Sequence, residues 1–129
     1  MPFVPSSLYM PFLIQAAGRS SAPVAIQLDH GFEFDEIMRC IQDGVSAVMF
    51  DGSDLEYDCN VARTKEIVHA AHALNVAVEA ELGFVGGSES DEPGKESQMT
   101  DPDKVLDFVS KTGVDALAIS IGNLHGKYA

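Results

Sequence analysis

Val24-Ala25-Ile26-Gln27-Leu28-Asp29-His30-Gly31 is a largely apolar run that ends in an acid, a histidine and a glycine. The same design recurs three times. Ala47-Val48-Met49-Phe50 runs into Asp51-Gly52-Ser53, Val76–Ala80 carries Glu79 and leads to Glu81, and Ala116–Ile121 leads to Asn123 and His125. Nearly unbroken apolar runs of this length suit strands covered on both faces, as in parallel sheets, better than the alternation of half-exposed strands. The reading predicts strands at Val24–Leu28, Ala47–Phe50, Val76–Ala80 and Ala116–Ile121.

Between these runs the apolar residues fall into helical spacing. Phe34, Ile37, Met38 and Ile41 form one stripe in Phe34–Asp43; Ile67, Val68, Ala71 and Leu74 form another in Asn60–Asn75; Val105, Leu106 and Val109 form a third in Asp103–Thr112. Thr100-Asp101-Pro102 sets a capping side chain before a proline at the first helical position, and Gly44 and Gly113 stand where helices terminate. A helix at Leu8–Ser20 precedes the first strand. Strict alternation with short connections predicts a parallel sheet with right-handed crossovers. Gly83–Thr100 breaks the rhythm, being long and rich in glycine, serine and acids, and connections of that kind in compact α/β units are usually functional or disordered. No repeat or linker divides the chain, so residues 1–129 are expected to form a single domain. Four strands cannot close a barrel that takes eight strands and about 250 residues. The expectation is an open doubly wound sheet or, equally from pattern alone, part of a barrel.

Composition narrows the function. The chain has 129 residues, 46% of them apolar, and a mean hydropathy near zero, which marks a globular chain with one core. Its 8 Lys and Arg against 20 Asp and Glu give a net charge of −12, which argues against a nucleic-acid surface. The same charge repels anionic ligands, so a sugar phosphate would need a metal and backbone amides to draw it in. No run approaches the roughly 20 apolar residues of a membrane span, and no signal peptide is evident. Cys40 and Cys59 lack a CxxC partner and read as reduced thiols of a cytoplasmic protein. His69 and His72, three apart on a helix, read as solvent-exposed, and Met38 and Met49 as core filler.

Polar residues gather where the predicted strands end, the edge at which parallel α/β folds bind ligands. Two histidines and several carboxylates on one rim suit a metal of borderline hardness such as zinc. Gln27-Leu28-Asp29-His30-Gly31, preceded by Pro23, resembles the first signature of the class II fructose- and tagatose-bisphosphate aldolases. Val78-Glu79-Ala80-Glu81-Leu82-Gly83-Phe84-Val85-Gly86-Gly87-Ser88-Glu89 resembles the second at every defined position, and Ile121-Gly122-Asn123-Leu124-His125-Gly126 resembles the metal-ligand segment after the family's sixth strand.

This resemblance, spanning roughly Pro23 to Tyr128, implies a partial (β/α)₈ TIM barrel and aldol cleavage or condensation of a ketose 1,6-bisphosphate. The products would be dihydroxyacetone phosphate and an aldehyde phosphate, as in glycolysis. It implies zinc held by His30 and His125, with Glu81 and Asp51 offering an alternative position, and polarising the substrate carbonyl. Asp29 would transfer the hydroxyl proton at the bond that breaks, and Glu89 the C–H proton beside the carbonyl. Asn123 and Gly126 would contact substrate or loop. The family has a histidine where Gln27 stands, and its third zinc histidine lies after a further strand. The competing expectation is therefore an inactive chain that acts at most as a weak metal-binding or interaction module. Exposed sheet edges leave pairing with a second copy open.

Overall fold

The computed structural model describes residues 5–86 and 97–126. The elements follow the order α1 (Ser6–Gly18), β1 (Gln27–Gly31), α2 (Phe34–Gln42), β2 (Ala47–Phe50), α3 (Tyr57–His72), β3 (Ala77–Leu82), α4 (Pro102–Thr112) and β4 (Ala116–Ile119). The strands form one sheet in the order β1-β2-β3-β4, and every neighbouring pair is parallel.

That order separates the two architectures left open by pattern. A doubly wound sheet reverses its strand order and places helices on both faces. Here the order runs without reversal, and the helices pack on one face. Met10, Ile37, Ile41, Ile67, Val68 and Ala71 from the helices form one cluster with Val48, Phe50 and Val78 of the sheet. Phe108 continues it over Ala80 and Leu82, with Leu117 alongside. The opposite face carries Asp29, Met49, Asp51, Glu79, Glu81, Ala116 and Ala118, following the pleat from the register Glu79↔Ala116 and Glu81↔Ala118. Four strands wound in one direction under one layer of helices are part of a barrel wall, with the second face turned to the barrel interior.

The helix termini follow their sequence signals. Asp101 accepts a hydrogen bond from the Asp103 N–H at 3.1 Å ahead of Pro102, and Gly113 ends α4 at φ 76°. Gly44, at φ 102°, follows α2. Several expectations shift. The first strand begins at Gln27 rather than Val24, because its ladder with β2 starts at Gln27↔Ala47. The third strand runs on to Leu82, so Glu81 lies inside the sheet rather than beyond it. On α4 the buried anchor is Phe108, whereas Leu106 is 81% exposed; the inward stripe is Val105, Phe108 and Thr112. Leu74 likewise falls beyond the end of α3 and is exposed. Met49 is buried and Met38 packs against the core, as expected of filler. Cys40 and Cys59 are free thiols. Among the described residues no helix is long and apolar enough to cross a membrane.

Candidate metal centre

The centre begins with an irregularity in β1. Leu28 pairs with Val48 and Gly31 with Phe50, so three residues of β1 advance against two of β2. His30 takes up the excess with φ 55°, a left-handed conformation unusual for a side-chain-bearing residue. Strict alternation would send Asp29 and His30 to opposite faces. The bulge breaks the alternation and brings the His30 ring to Asp51, with Nδ1 and Oδ2 2.9 Å apart. Gly31 makes the crossing possible, since a Cβ there would stand 2.7 Å from Ile37 and 3.1 Å from the Met49 carbonyl.

Asp51 is held from two sides. One carboxylate oxygen meets His30 and the other accepts the Ser53 N–H at 3.0 Å. Because a carboxylate accepts, Nδ1 carries the proton and Nε2 is left to bind a cation. This carboxylate–imidazole pairing is the arrangement that orients metal-ligating histidines. Glu81 comes from β3, on the sheet face it shares with Asp51. His30, Asp51 and Glu81 each offer a ligand atom, and the three atoms lie within 4.8 Å of one another.

The electrostatics of the trio are those of a site short of positive charge. Glu81 is 3% exposed, and burial, followed by the charge of Asp51, pushes its pKa up to about 7 against the partial relief of His30 and the Val85 N–H. Burial works against charge on His30, but the hydrogen bond and charge of Asp51, with Glu81 and Asp29, outweigh it and raise its pKa. The shifts are the response of one buried carboxylate and an imidazole to burial and to the charges around them.

The other expected residues stand around this trio. His125 follows β4, and its ring centroid is 6.0 Å from that of His30, edge to face. It lies outside the compact trio but beside its histidine. Asp29 is exposed, with its carboxylate 3.7 Å from His30 Nε2. Asn123 turns its side chain inward on its own loop, Oδ1 accepting the Ile121 N–H at 3.0 Å, so it shapes the turn that carries His125. Gly126 adopts φ 95° immediately after His125. Glu89 lies outside the described residues, as do Asp91, Glu92, Glu96 and Lys127. His69 is exposed, and the exposed His72 pairs with Asp115 at 2.9 Å, remote from the centre. A separate cleft of about 360 Å³ between the starts of α3 and α4, lined among others by Glu56, Tyr57, Thr100 and Lys104, contains none of the trio.

One support went unread in the sequence. Asn60, 2% exposed on α3, donates to the Glu81 carbonyl at 3.0 Å and accepts from Thr64 at 3.0 Å. Its signal was available, because Asn60, Thr64, Ile67 and Ala71 lie on one helical stripe, and a polar residue on a buried stripe has a partner to satisfy. Gln27, at the position where the resembling family has histidine, donates to Glu79 at 2.7 Å across the sheet.

Comparison with known proteins agrees with this fold. Residues 4–129 match the family described as class-II fructose-bisphosphate aldolase, and the chain belongs to that family. A fructose-bisphosphate aldolase of Treponema pallidum (strain Nichols) is 50% identical over 107 residues, covering 81% of this chain and 32% of the relative. The crystal structure of the YdjI aldolase from Escherichia coli K12 superposes with a TM-score of 0.81 at 34% identity, over 92% of this chain and 42% of that one. A structure described as a fructose-1,6-biphosphate aldolase from Coccidioides immitis gives 0.83 at 30% identity, over 95% and 44%. The chain thus spans about a third of the curated relative's length and under half of either solved structure.

Proposed function

We propose that His30 and His125, with Glu81 and Asp51 offering an alternative position, hold the zinc of an aldolase centre that cleaves a ketose 1,6-bisphosphate to dihydroxyacetone phosphate and an aldehyde phosphate, or joins them. Further strands of the barrel would complete the centre. The observation that carries this reading is the convergence of His30, Asp51 and Glu81, from three successive strands, on one point at the carboxyl edge of the sheet.

The residues fit a divalent ion on their own chemistry. Glu81 and Asp51 are two acids brought together with little exposure, and a cation would remove the cost that now raises the Glu81 pKa. Imidazole and carboxylate are ligands zinc accepts. When bound, the ion supplies Lewis acidity toward the ketose carbonyl.

The remaining work falls to the chain. Asp51 fixes the His30 ring through Nδ1, leaving Nε2 to face the ion. Asp29, exposed beside that ring, takes the proton of the hydroxyl on the carbon that becomes the aldehyde and returns it in condensation. Glu89, through its motif position, exchanges the proton on the carbon next to the carbonyl. Asn123 and Gly126 bound the substrate side of the His125 turn. At −12 overall, the chain draws in a bisphosphate through the ion and backbone N–H groups rather than through its surface.

The test is zinc affinity in the full-length protein, by competition with a chelator. His30→Ala and His125→Ala should each weaken binding by two orders of magnitude or more, and chelation should stop aldol cleavage. Wild-type affinity in either variant removes that residue from the ligand set. Cleavage that survives complete removal of metal defeats the reading as a whole.

A further inference from the structure

We infer that Ser97 is a positioning residue for His125, tying the turn that carries this imidazole to the segment leaving β3. The inference rests on the reading that His125 binds zinc.

The chain leaves β3 through Gly83, at φ 86°, where a Cβ would stand 2.6 Å from the Thr100 hydroxyl. From there residues 83–86 run antiparallel to residues 97–100. Phe84 and Gln98 exchange both backbone hydrogen bonds, each at 2.8 Å. Thr100 anchors the base of this two-stranded stem. Its hydroxyl donates to the Leu82 carbonyl and accepts the Ser120 N–H at 2.8 Å, while its own N–H donates to the Ser120 carbonyl at 2.9 Å. The stem is thereby fixed to the ends of both β3 and β4.

At the far end the stem meets the metal-ligand turn. The Gly86 carbonyl accepts the His125 N–H at 2.8 Å. The Gly86 N–H donates to Ser97 Oγ at 2.9 Å, and that hydroxyl donates onward to the Asn123 carbonyl at 3.4 Å. The four residues close a ring in which Gly86 is held on both sides of its peptide plane, and the turn from Asn123 to His125 is tied to the stem twice. Ser97 makes one tie directly and secures the other by fixing Gly86. Without the hydroxyl the buried Gly86 N–H loses its partner, and the His125 backbone hangs on a single bond to a residue no longer held. Metal ligation tolerates little displacement, and removing groups that orient a ligand costs about 10- to 100-fold in affinity.

The experiment compares Ser97→Ala, Ser97→Thr, His125→Ala and Gln98→Ala in the full-length protein. Gln98→Ala is the control, since Gln98 is exposed and contributes its backbone to the stem. Three quantities are read: zinc affinity, the visible absorption of the cobalt-substituted protein, and hydrogen exchange at the His125 N–H in the metal-free protein. S97A should weaken zinc binding by about 10-fold or more, shift the cobalt bands and speed exchange at His125. S97T, which keeps the hydroxyl, should restore all three, and Q98A should change none. Should S97A fail to fold, S97T against Ser97→Val repeats the comparison of hydroxyl with methyl. Wild-type affinity and exchange in S97A, with affinity lost in H125A, overturns the role of Ser97 and leaves the zinc reading standing. Wild-type affinity in H125A overturns both.

Discussion

Glu81→Gln, in metal-free full-length protein, should abolish a loss of stability that the wild type suffers between pH 4.5 and about 7. Burial and the neighbouring Asp51 raise the Glu81 pKa from 4.5 to about 7. Within that window the folded state holds a proton that the unfolded state has released. Stability therefore falls as pH rises, and above the folded pKa the full penalty is in place. A change from 4.5 to about 7 corresponds to about 3 kcal/mol. Glutamine keeps the shape and an oxygen for the Val85 N–H but carries no charge at any pH. Urea denaturation of both proteins from pH 4.5 to 8.5, with chelator present, gives the comparison. The curves should converge near pH 4.5, with the variant ahead by about 3 kcal/mol above pH 7. A second readout ties the proton to the metal: at pH 6, zinc binding should release more protons from the wild type than from the variant, measured calorimetrically in buffers of different ionisation enthalpy. Parallel stability profiles would refute the argument that Glu81 is a buried acid only partly compensated by its neighbours.

Two further outcomes test a support of the centre and an ion pair remote from it. Asn60→Ala leaves the Glu81 carbonyl and the Thr64 hydroxyl without their partner and should cost about 2–3 kcal/mol by denaturant unfolding; a cost under about 0.5 kcal/mol would mean that water replaces it freely. Asp115 is held below the ordinary carboxylate range first by the Val78 N–H and then by His72, so its contribution is present above pH 3.8 and lost as pH falls through the lower folded value. Asp115→Asn should therefore flatten the acid limb of the stability profile, and an unchanged limb would discard the link.

Much of the fold was legible because its signals are local. Doubly covered strands, the Asp101-Pro102 start of α4 and the Gly113 stop require nothing beyond their own neighbours. The errors lie where pairing decides. Val24 to Ile26 is as apolar as a strand, but it lies outside the ladder with β2, and Val24 is 52% exposed. On α4, Leu106 and Phe108 both fit a helical stripe, and only the position of the sheet selects Phe108. The order of the strands was likewise invisible, and it is the order that distinguishes a barrel wall from a doubly wound sheet.

The candidate centre is another matter: the strand-end pattern marks His30, Asp51 and Glu81 as residues, but not their geometry. Alternation along β1 predicts Asp29 and His30 on opposite faces, which would place only one of them at the site. The bulge between Leu28 and Gly31, with His30 at φ 55°, is what turns the His30 ring onto Asp51. Strain of this kind persists only where surrounding structure over-determines it. Here the Asp51–His30 hydrogen bond, the Ser53 N–H on the other oxygen of Asp51 and the space left by Gly31 do so together. The Asp29-His30-Gly31 motif therefore has a physical reading: the glycine lets the strand slip by a residue, and the slip sets acid and imidazole side by side at the edge of the sheet.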